Sequence, residues 1–314
     1  MNRSDLSLGT MSFGSKLDQR AAADVVRHCL DAGVTAFDTA NIYNGGEAER
    51  VLGAVVGPVR DRVRIATKVG SPDGPETERG QAPLSPCAVR AAIDGSLRRL
   101  GTDYVDLYYL HRPDYATPIV DTLGVLDELV QEGKVRSLGD SNFAAWQACE
   151  IQLLARQHDW RPVGTSQQMY NMLARRLEDE YLPFARQYGV STLVYNPLAG
   201  GLLSGRHRQG QEPDPGSRFA GSLYRQRYWN DTQLDAVAGL QRIASDAGMS
   251  LVEMSMRWLR SRTGVDGIVL GASSLGQLEE NLAAADRGPL DTDVLQRIDD
   301  VTGALHGVAP SYNR

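Results

Sequence analysis

Four side chains carry the clearest chemistry in this sequence. Asp38 lies near the end of the apolar run Thr35 to Thr39, and Tyr43 follows five residues later, just ahead of Gly45-Gly46. Lys68 ends Arg64-Ile65-Ala66-Thr67-Lys68, and His111 ends the run that starts at Tyr104. An acid, a phenol, an ammonium and an imidazole at three successive strand ends can protonate a carbonyl oxygen. A carbonyl that accepts a hydride becomes an alkoxide and needs a proton from a group placed on its oxygen. A phenol can supply one, but its ordinary pKa of about 10 is too high for ready exchange at neutral pH. A neighbouring ammonium is expected to lower that pKa by stabilising the phenolate. Tyr43 is therefore expected as the general acid, Lys68 as its partner, and Asp38 as the group that holds Lys68 charged. A neutral His111 would orient the carbonyl oxygen. Singly, each has a plainer reading: a strand-end cap, a packed aromatic, a solvated lysine, a loop hydrogen bonder. Their order and their matching positions at strand ends favour one shared site. A Schiff-base reaction on Lys68 is the other chemistry a strand-end lysine allows, and it leaves Asp38 and Tyr43 without a role.

The elements that must position these groups alternate along the chain. Leu6 to Met11 reads as a first strand. Asp18 caps a helix with the stripe Ala22, Val25, Val26, Cys29 and Leu30, which Gly33 ends. Strand two is Thr35 to Thr39, helix two Glu47 to Val56, and strand three ends at Lys68. A charged, Gly- and Pro-rich loop from Gly70 to Pro83 precedes a helix capped by Ser85 with Pro86 at its first position. Strand four ends at His111, and helix four runs from Thr117-Pro118 to Gly133. Val135 to Ser141, Val163 to Tyr170 and Thr192 to Leu198 read as strands five to seven. Ala144 to His158 and Glu178 to Tyr188 are the helices between them. A long loop, Ala199 to Asn230, is too long for a simple connector and is expected to be functional. Helices Asp231 to Ala247 and Ser250 to Arg262 follow. Strand eight is Gly267 to Gly271, and helices Ser274 to Ala285 and Asp291 to Leu305 close the pattern.

Eight strand–helix units without a compositional break imply a parallel sheet with right-handed crossovers, closed as a single-domain (β/α)8 barrel over residues 1–314. Chemistry in such barrels sits at the C-terminal ends of the strands, where all four residues fall. The 314 residues are 42% hydrophobic and 23% charged, which is ordinary globular composition, and a net charge of −6 argues against nucleic acid as the main partner. No stretch resembles a membrane span, and the N-terminus lacks the apolar core of a signal peptide. The three widely spaced cysteines, Cys29, Cys87 and Cys149, read as reduced structural thiols rather than a metal or disulfide set. A cytoplasmic protein without a metal is the expectation.

The chain resembles the aldo-keto reductases over essentially its full length. The carriers are Phe37-Asp38-Thr39-Ala40-x-x-Tyr43, Ala66-Thr67-Lys68, Asp106-Leu107-x-x-Leu110-His111 and Gly139-x-Ser141-Asn142-Phe143. The second half is most similar to the aflatoxin aldehyde and succinic semialdehyde reductase branch, through Gln168-Met169-Tyr170-Asn171, Tyr195 to Leu203, Arg227-Tyr228-Trp229 and Ile268 to Leu282. The resemblance implies Asp38, Tyr43, Lys68 and His111 as a catalytic tetrad, with NADPH extended across the barrel mouth. It implies Ser141, Asn142 and Gln167 as contacts to the nicotinamide carboxamide, and Tyr195 as the ring stacked on the nicotinamide. Asn196, Pro197, Leu198, Gly200, Gly201 and Leu202 resemble the pyrophosphate strap, and Arg218 the arginine that grips phosphate. Gly271, Ser273, Gln277, Glu280 and Asn281 resemble the adenosine and 2′-phosphate end, where a helix N-terminus suits a phosphate.

Met11, Arg227 and Arg314 fall on substrate positions of that branch, beside Tyr43 and His111. Two guanidiniums there favour a carbonyl substrate bearing a carboxylate. Arg112 follows His111 where the branch usually has an apolar residue, and Asp140 stands where an apolar or small residue is common. The branch resemblance also suggests a homodimer. It leaves open two other readings, a non-catalytic NADPH-binding sensor subunit and a reductase of a specialised biosynthetic keto-sugar or ketone.

Overall fold

The structure, a computed structural model, describes residues 3–207, 210–303 and 305. Eight parallel strands close on themselves in sequence order: β1 (Leu6–Gly9), β2 (Ala36–Asp38), β3 (Arg64–Val69), β4 (Leu107–Leu110), β5 (Leu138–Ser141), β6 (Val163–Met169), β7 (Ser191–Tyr195) and β8 (Gly267–Gly271). Around them lie α1 (Gln19–Asp31), α2 (Glu47–Val56), α3 (Pro86–Leu100), α4 (Ile119–Gln131), α5 (Ala145–Gln157) and α6 (Tyr181–Tyr188). The ring continues with α7 (Ser222–Tyr228), α8 (Asp231–Asp246), α9 (Leu251–Arg260), α10 (Leu275–Asp286) and α11 (Thr292–Thr302). The closed (β/α)8 barrel expected from the alternation is the fold.

The helices form because each carries one apolar stripe and a usable start. In α1 the stripe Ala22, Val25, Val26 and Cys29 is buried, and the Asp18 side chain accepts from Ala21 N at 2.8 Å. In α3 Pro86 opens the first turn and Gly101, at φ 64°, closes the last in the left-handed region that glycine adopts without strain. Each fully buried leucine of the sheet–helix interface, such as Leu52, Leu126 and Leu240, contributes roughly 1.5–3 kcal/mol.

Register brings the chemical residues level with one another. Asp38 lies opposite Ala66, Lys68 opposite Tyr109, and Ser141 opposite Gln167. Gly139 is required inside the wall, because a Cβ there would overlap the Tyr109 ring. Two expectations change. The segment 199–230 is not a plain loop: it holds short 3-10 turns at Ala199–Ser204 and Arg218–Ala220, and then α7. α6 begins at Tyr181 rather than Glu178, because Arg176–Glu178 forms a separate 3-10 turn, with Arg175 Nε donating to Glu178 at 2.8 Å.

Candidate active site

The mouth of the barrel gathers Asp38, Tyr43, Lys68 and His111. Lys68 is fully buried, and its Nζ donates to Asp38 Oδ1 and, at 2.7 Å, to the Thr39 carbonyl. The other oxygen of Asp38 accepts from Gln167 Nε2 at 2.7 Å. Lys68 Nζ lies 5.2 Å from the centroid of the Tyr43 ring and 5.8 Å from that of Tyr109. The Tyr43 and His111 rings meet edge to face, with centroids 6.0 Å apart. Three consecutive left-handed residues, Asn44 (φ 51°), Gly45 (φ 63°) and Gly46 (φ 90°), turn the chain from Tyr43 into α2. Asn44 Nδ2 donates to the Met11 and Phe13 carbonyls at 3.1 and 2.7 Å, which ties this turn to the loop after β1.

The electrostatics follow from this packing. Burial works against the Lys68 ammonium, but Asp38 and then Tyr43 outweigh it and hold the pKa above its ordinary value. Burial likewise raises the Tyr43 phenol. Lys68 pulls it back only in part, and the Asp38 carboxylate opposes that pull. The expected lowering of the phenol by its ammonium is thus corrected: desolvation wins, and Asp38 opposes the lysine's field. The His111 imidazole is pushed down to about 3, by burial first and then by Lys68 and Arg112. At neutral pH His111 is uncharged and can donate one hydrogen bond without bringing a charge. A Schiff base needs a free neutral amine, so a buried, doubly bonded, charged Lys68 is poorly placed for that chemistry.

Beside this cluster lies a row of polar groups from β5 to β7. Ser141 Oγ donates to the Gln167 carbonyl (2.8 Å), and Asn142 Nδ2 to Ser141 Oγ (3.0 Å) and the His111 carbonyl (2.9 Å). Tyr195 Oη donates to Asn142 Oδ1 at 2.7 Å. Asn142 and Asn196 both sit at positive φ, 64° and 63°, a conformation asparagine tolerates better than most residues. Pro197 and Leu202 are buried, Leu198 is half-buried, and Gly200 and Gly201 turn left-handed. The Tyr224 ring packs on Gly200, with the guanidinium carbons of Arg218 and Arg227 5.4 and 5.9 Å from its centroid.

At Gly271 the space a Cβ would take is bounded, among the described residues, by Arg218 Nη2, 3.7 Å away. Next to it, Ser273 Oγ donates to Gln277 Oε1 (2.9 Å) and Asn281 Nδ2 to the Gly271 carbonyl (3.0 Å), while Glu280 is exposed on α10. A carboxamide-sized polar row, a left-handed glycine turn, and a cation beside the glycine that ends β8 just ahead of α10 fit a nicotinamide dinucleotide.

The substrate positions are less gathered. Met11 is exposed on the rim, Arg227 is buried in α7, and Arg314 lies outside the described residues. Sequence reasoning missed three features. One is the bond from Gln167 to Asp38, which uses an amide expected to face a carboxamide. Another is Tyr109, fully buried beneath Lys68. The third is Asp140, fully buried, which accepts from Ser166 Oγ at 2.6 Å while its Oδ2 has no partner among the described residues. Burial raises its carboxyl to about 7, and the Ser166 bond offsets only part of that. The sequence marks it only as an acid where an apolar or small residue is common.

Among the described residues no helix is long and apolar enough to cross a membrane, and no cluster of histidine, cysteine and carboxylate could hold a metal ion. Comparison with known proteins gives the family. The model of the aldo/keto reductase family matches residues 5–302. Rat aflatoxin B1 aldehyde reductase member 2 is 37% identical, covering 98% of this chain and 87% of its own. Human aldo-keto reductase family 7 member A3 is 36% identical, covering 98% and 96%. A probable voltage-gated potassium channel subunit beta from Oryza sativa subsp. japonica is 34% identical, covering 98% and 94%. The chain belongs to the aldo/keto reductase family, oxidoreductases that act on small carbonyl compounds with a nicotinamide dinucleotide.

Proposed function

We propose that this protein reduces aldehydes or ketones to alcohols with NADPH, and that Tyr43 is the general acid. The observation that carries this reading is the buried Asp38–Lys68 pair set beneath the Tyr43 ring, with an uncharged His111 across from it. NADPH, when bound, supplies the hydride. Ser141, Asn142 and Gln167 would hold its carboxamide, Tyr195 its ring, the turn at Gly200 and Gly201 its pyrophosphate, and Arg218, Ser273 and Gln277 its phosphate end. His111 holds the carbonyl oxygen by a neutral hydrogen bond. Tyr43 Oη gives its proton to that oxygen as negative charge develops, and the nearby ammonium of Lys68 stabilises the phenolate left behind. Asp38 keeps Lys68 charged through the cycle.

The name of the rat relative favours aldehydes among the carbonyls. Arg227, with Arg314, favours an acid-bearing aldehyde or a keto acid. A cytoplasmic homodimer completes the proposal, and light scattering on the purified protein reads its mass. The test is NADPH oxidation with 4-nitrobenzaldehyde, 2-carboxybenzaldehyde, succinic semialdehyde, a 1,2-diketone and a keto-sugar, each repeated with NADH. Turnover with NADPH preferred is expected. Tyr43→Phe is expected to lower it by about 10²–10⁴-fold with NADPH affinity nearly unchanged, and near-full turnover in that variant overturns the acid assignment. The name of the rice relative favours a second reading, a nicotinamide-binding subunit without turnover. Tight NADPH binding with no reduction across the panel would support it.

A further inference from the structure

Outside the four residues above, one largely buried guanidinium joins α2 to the loop after β3. Arg99, in the last turn of α3, donates from Nε to Glu49 Oε2 at 2.7 Å, and Glu49 is fully buried in α2. The other oxygen of Glu49 accepts from Thr67 Oγ1 at 2.5 Å, one residue before Lys68. The alkyl stem of Arg99 lies under Gly46, where a Cβ would come within 2.7 Å of Cδ, so the turn carrying Tyr43 rests on it. This inner arm ties the turn that carries Tyr43 to the strand that carries Lys68.

The outer arm runs to the loop after β3. Arg99 Nη1 is paired with Glu76 Oε1, and Nη2 reaches Glu76 Oε2 at 3.4 Å. The Glu76 carboxylate enters a notch that exists only because residue 95 is glycine, where a Cβ would overlap it. The same loop reaches the segments that carry His111 and Tyr43. Arg112, next to His111, donates to Ser71 Oγ at 3.0 Å, and a Cβ at Gly74 would lie 3.2 Å from Asn41 Nδ2, two residues before Tyr43.

We propose that loop 70–83 is a fixed wall of the substrate entrance, clamped through Glu76, and that Arg99 is the positioning residue that couples this wall to the Tyr43–Lys68 pair. This rests on the reductase reading given above. A guanidinium can hold two carboxylates at once because its donors are spread in a planar fork, whereas an ammonium is a single point. Cutting the outer arm loosens the wall and acts on substrate binding. Cutting both arms also misplaces the acid and acts on turnover.

The test combines Glu76→Gln and Arg99→Lys with two readouts. The first is the rate of tryptic cleavage at Arg79, which is exposed on the loop and needs no cofactor or substrate. The second is the split between KM and kcat for aldehyde reduction. Glu76→Gln is expected to speed cleavage about tenfold and raise KM about fivefold with kcat within about twofold, near 1 kcal/mol of lost binding. Arg99→Lys is expected to speed cleavage similarly and also to lower kcat by about tenfold. Native cleavage rates in both variants overturn the clamp. Faster cleavage with unchanged KM in Glu76→Gln overturns the entrance wall. If native protein reduces no carbonyl, the reductase reading fails by itself, and the cleavage rates still decide whether the clamp exists. If Arg99→Lys does not fold, Glu76→Gln decides the wall, and Glu49→Gln, which weakens the inner arm, decides the coupling: native kcat in that variant overturns it.

Discussion

Asp38 and Asp140 are both buried in the barrel wall, one at the end of β2 and the other within β5. Asp38 has an ammonium on one oxygen and the Gln167 amide on the other. Asp140 has one hydroxyl on one oxygen and nothing on the other, among the described residues. Taking a carboxylate out of water costs several kcal/mol unless a partner returns it. At Asp38 the partner is a cation, and the charge is kept and put to use. At Asp140 no cation among the described residues faces the carboxyl, whose charge would act on Tyr109 and Tyr181, so the wall favours the protonated form. The lesson is that burial alone does not make a catalytic acid. The pairing decides whether a buried aspartate is an ion that organises a neighbour or a neutral group that merely fits.

The largest way to break this contrast is Lys68→Met. It leaves Asp38 as a buried charge without its cation, and a loss of about 3–5 kcal/mol of stability is expected, together with at least about a thousandfold loss of reduction. Urea unfolding and NADPH turnover read the two effects. An effect on turnover alone would mean that Asp38 finds water or another donor.

Asp140→Asn sharpens the other side. The folded-state pKa of Asp140 lies above its unfolded value, so the unfolded chain gives up this proton first as pH rises. The stability is present below about pH 4 and is lost toward pH 7, at about 1.4 kcal/mol per pH unit. Asparagine keeps the acceptor for Ser166 and removes the ionisation. The variant is expected to match the parent near pH 4 and to unfold several degrees higher at pH 8. Equal shifts in Tm at both pH values would show that Asp140 is not the neutral group described.

Gln167→Met removes the second bond to Asp38 without adding charge. Reduction is expected to fall about tenfold, and the buried Asp38 oxygen left without its donor is expected to lower stability by about 1–3 kcal/mol. An effect confined to NADPH affinity would leave Gln167 as a cofactor contact only. The smallest expected effect is a flat one. His111 titrates near 3 and the Tyr43 phenol lies above its ordinary value, so kcat/KM should show no limb between about pH 5 and pH 8. An acid limb near pH 6.5 would mean that His111 is more solvated than its packing indicates.

Most of the barrel was legible because it rests on local rules. The helix cap at Asp18, the stop at Gly33, the start at Pro86 and the apolar strands ending near Asp38, Lys68 and His111 are all contained in short windows, whereas the Ser85 side chain makes no capping bond. The helix α7 was not legible: Ser222–Tyr228 is short and polar, and it buries Arg227 and Tyr228 only because strap and barrel surround them. The four catalytic candidates were legible by type and order, but the ionisation of Tyr43 was not. Whether an ammonium or desolvation wins at a phenol depends on how much water the packed site excludes.

Chain-local chemistry, then, decided the number of strands, the direction of their crossovers and the residue types at their ends, because period, caps and turns are interactions between near neighbours in sequence. Tertiary structure alone decided which carboxylate is an ion and which a neutral acid, and that Arg99 grips two carboxylates from two elements. Lys68 and Gln167 reach Asp38 across 30 and 129 residues of chain. Burial and pairing are properties of neighbours in space, and only closure of the barrel makes those residues neighbours.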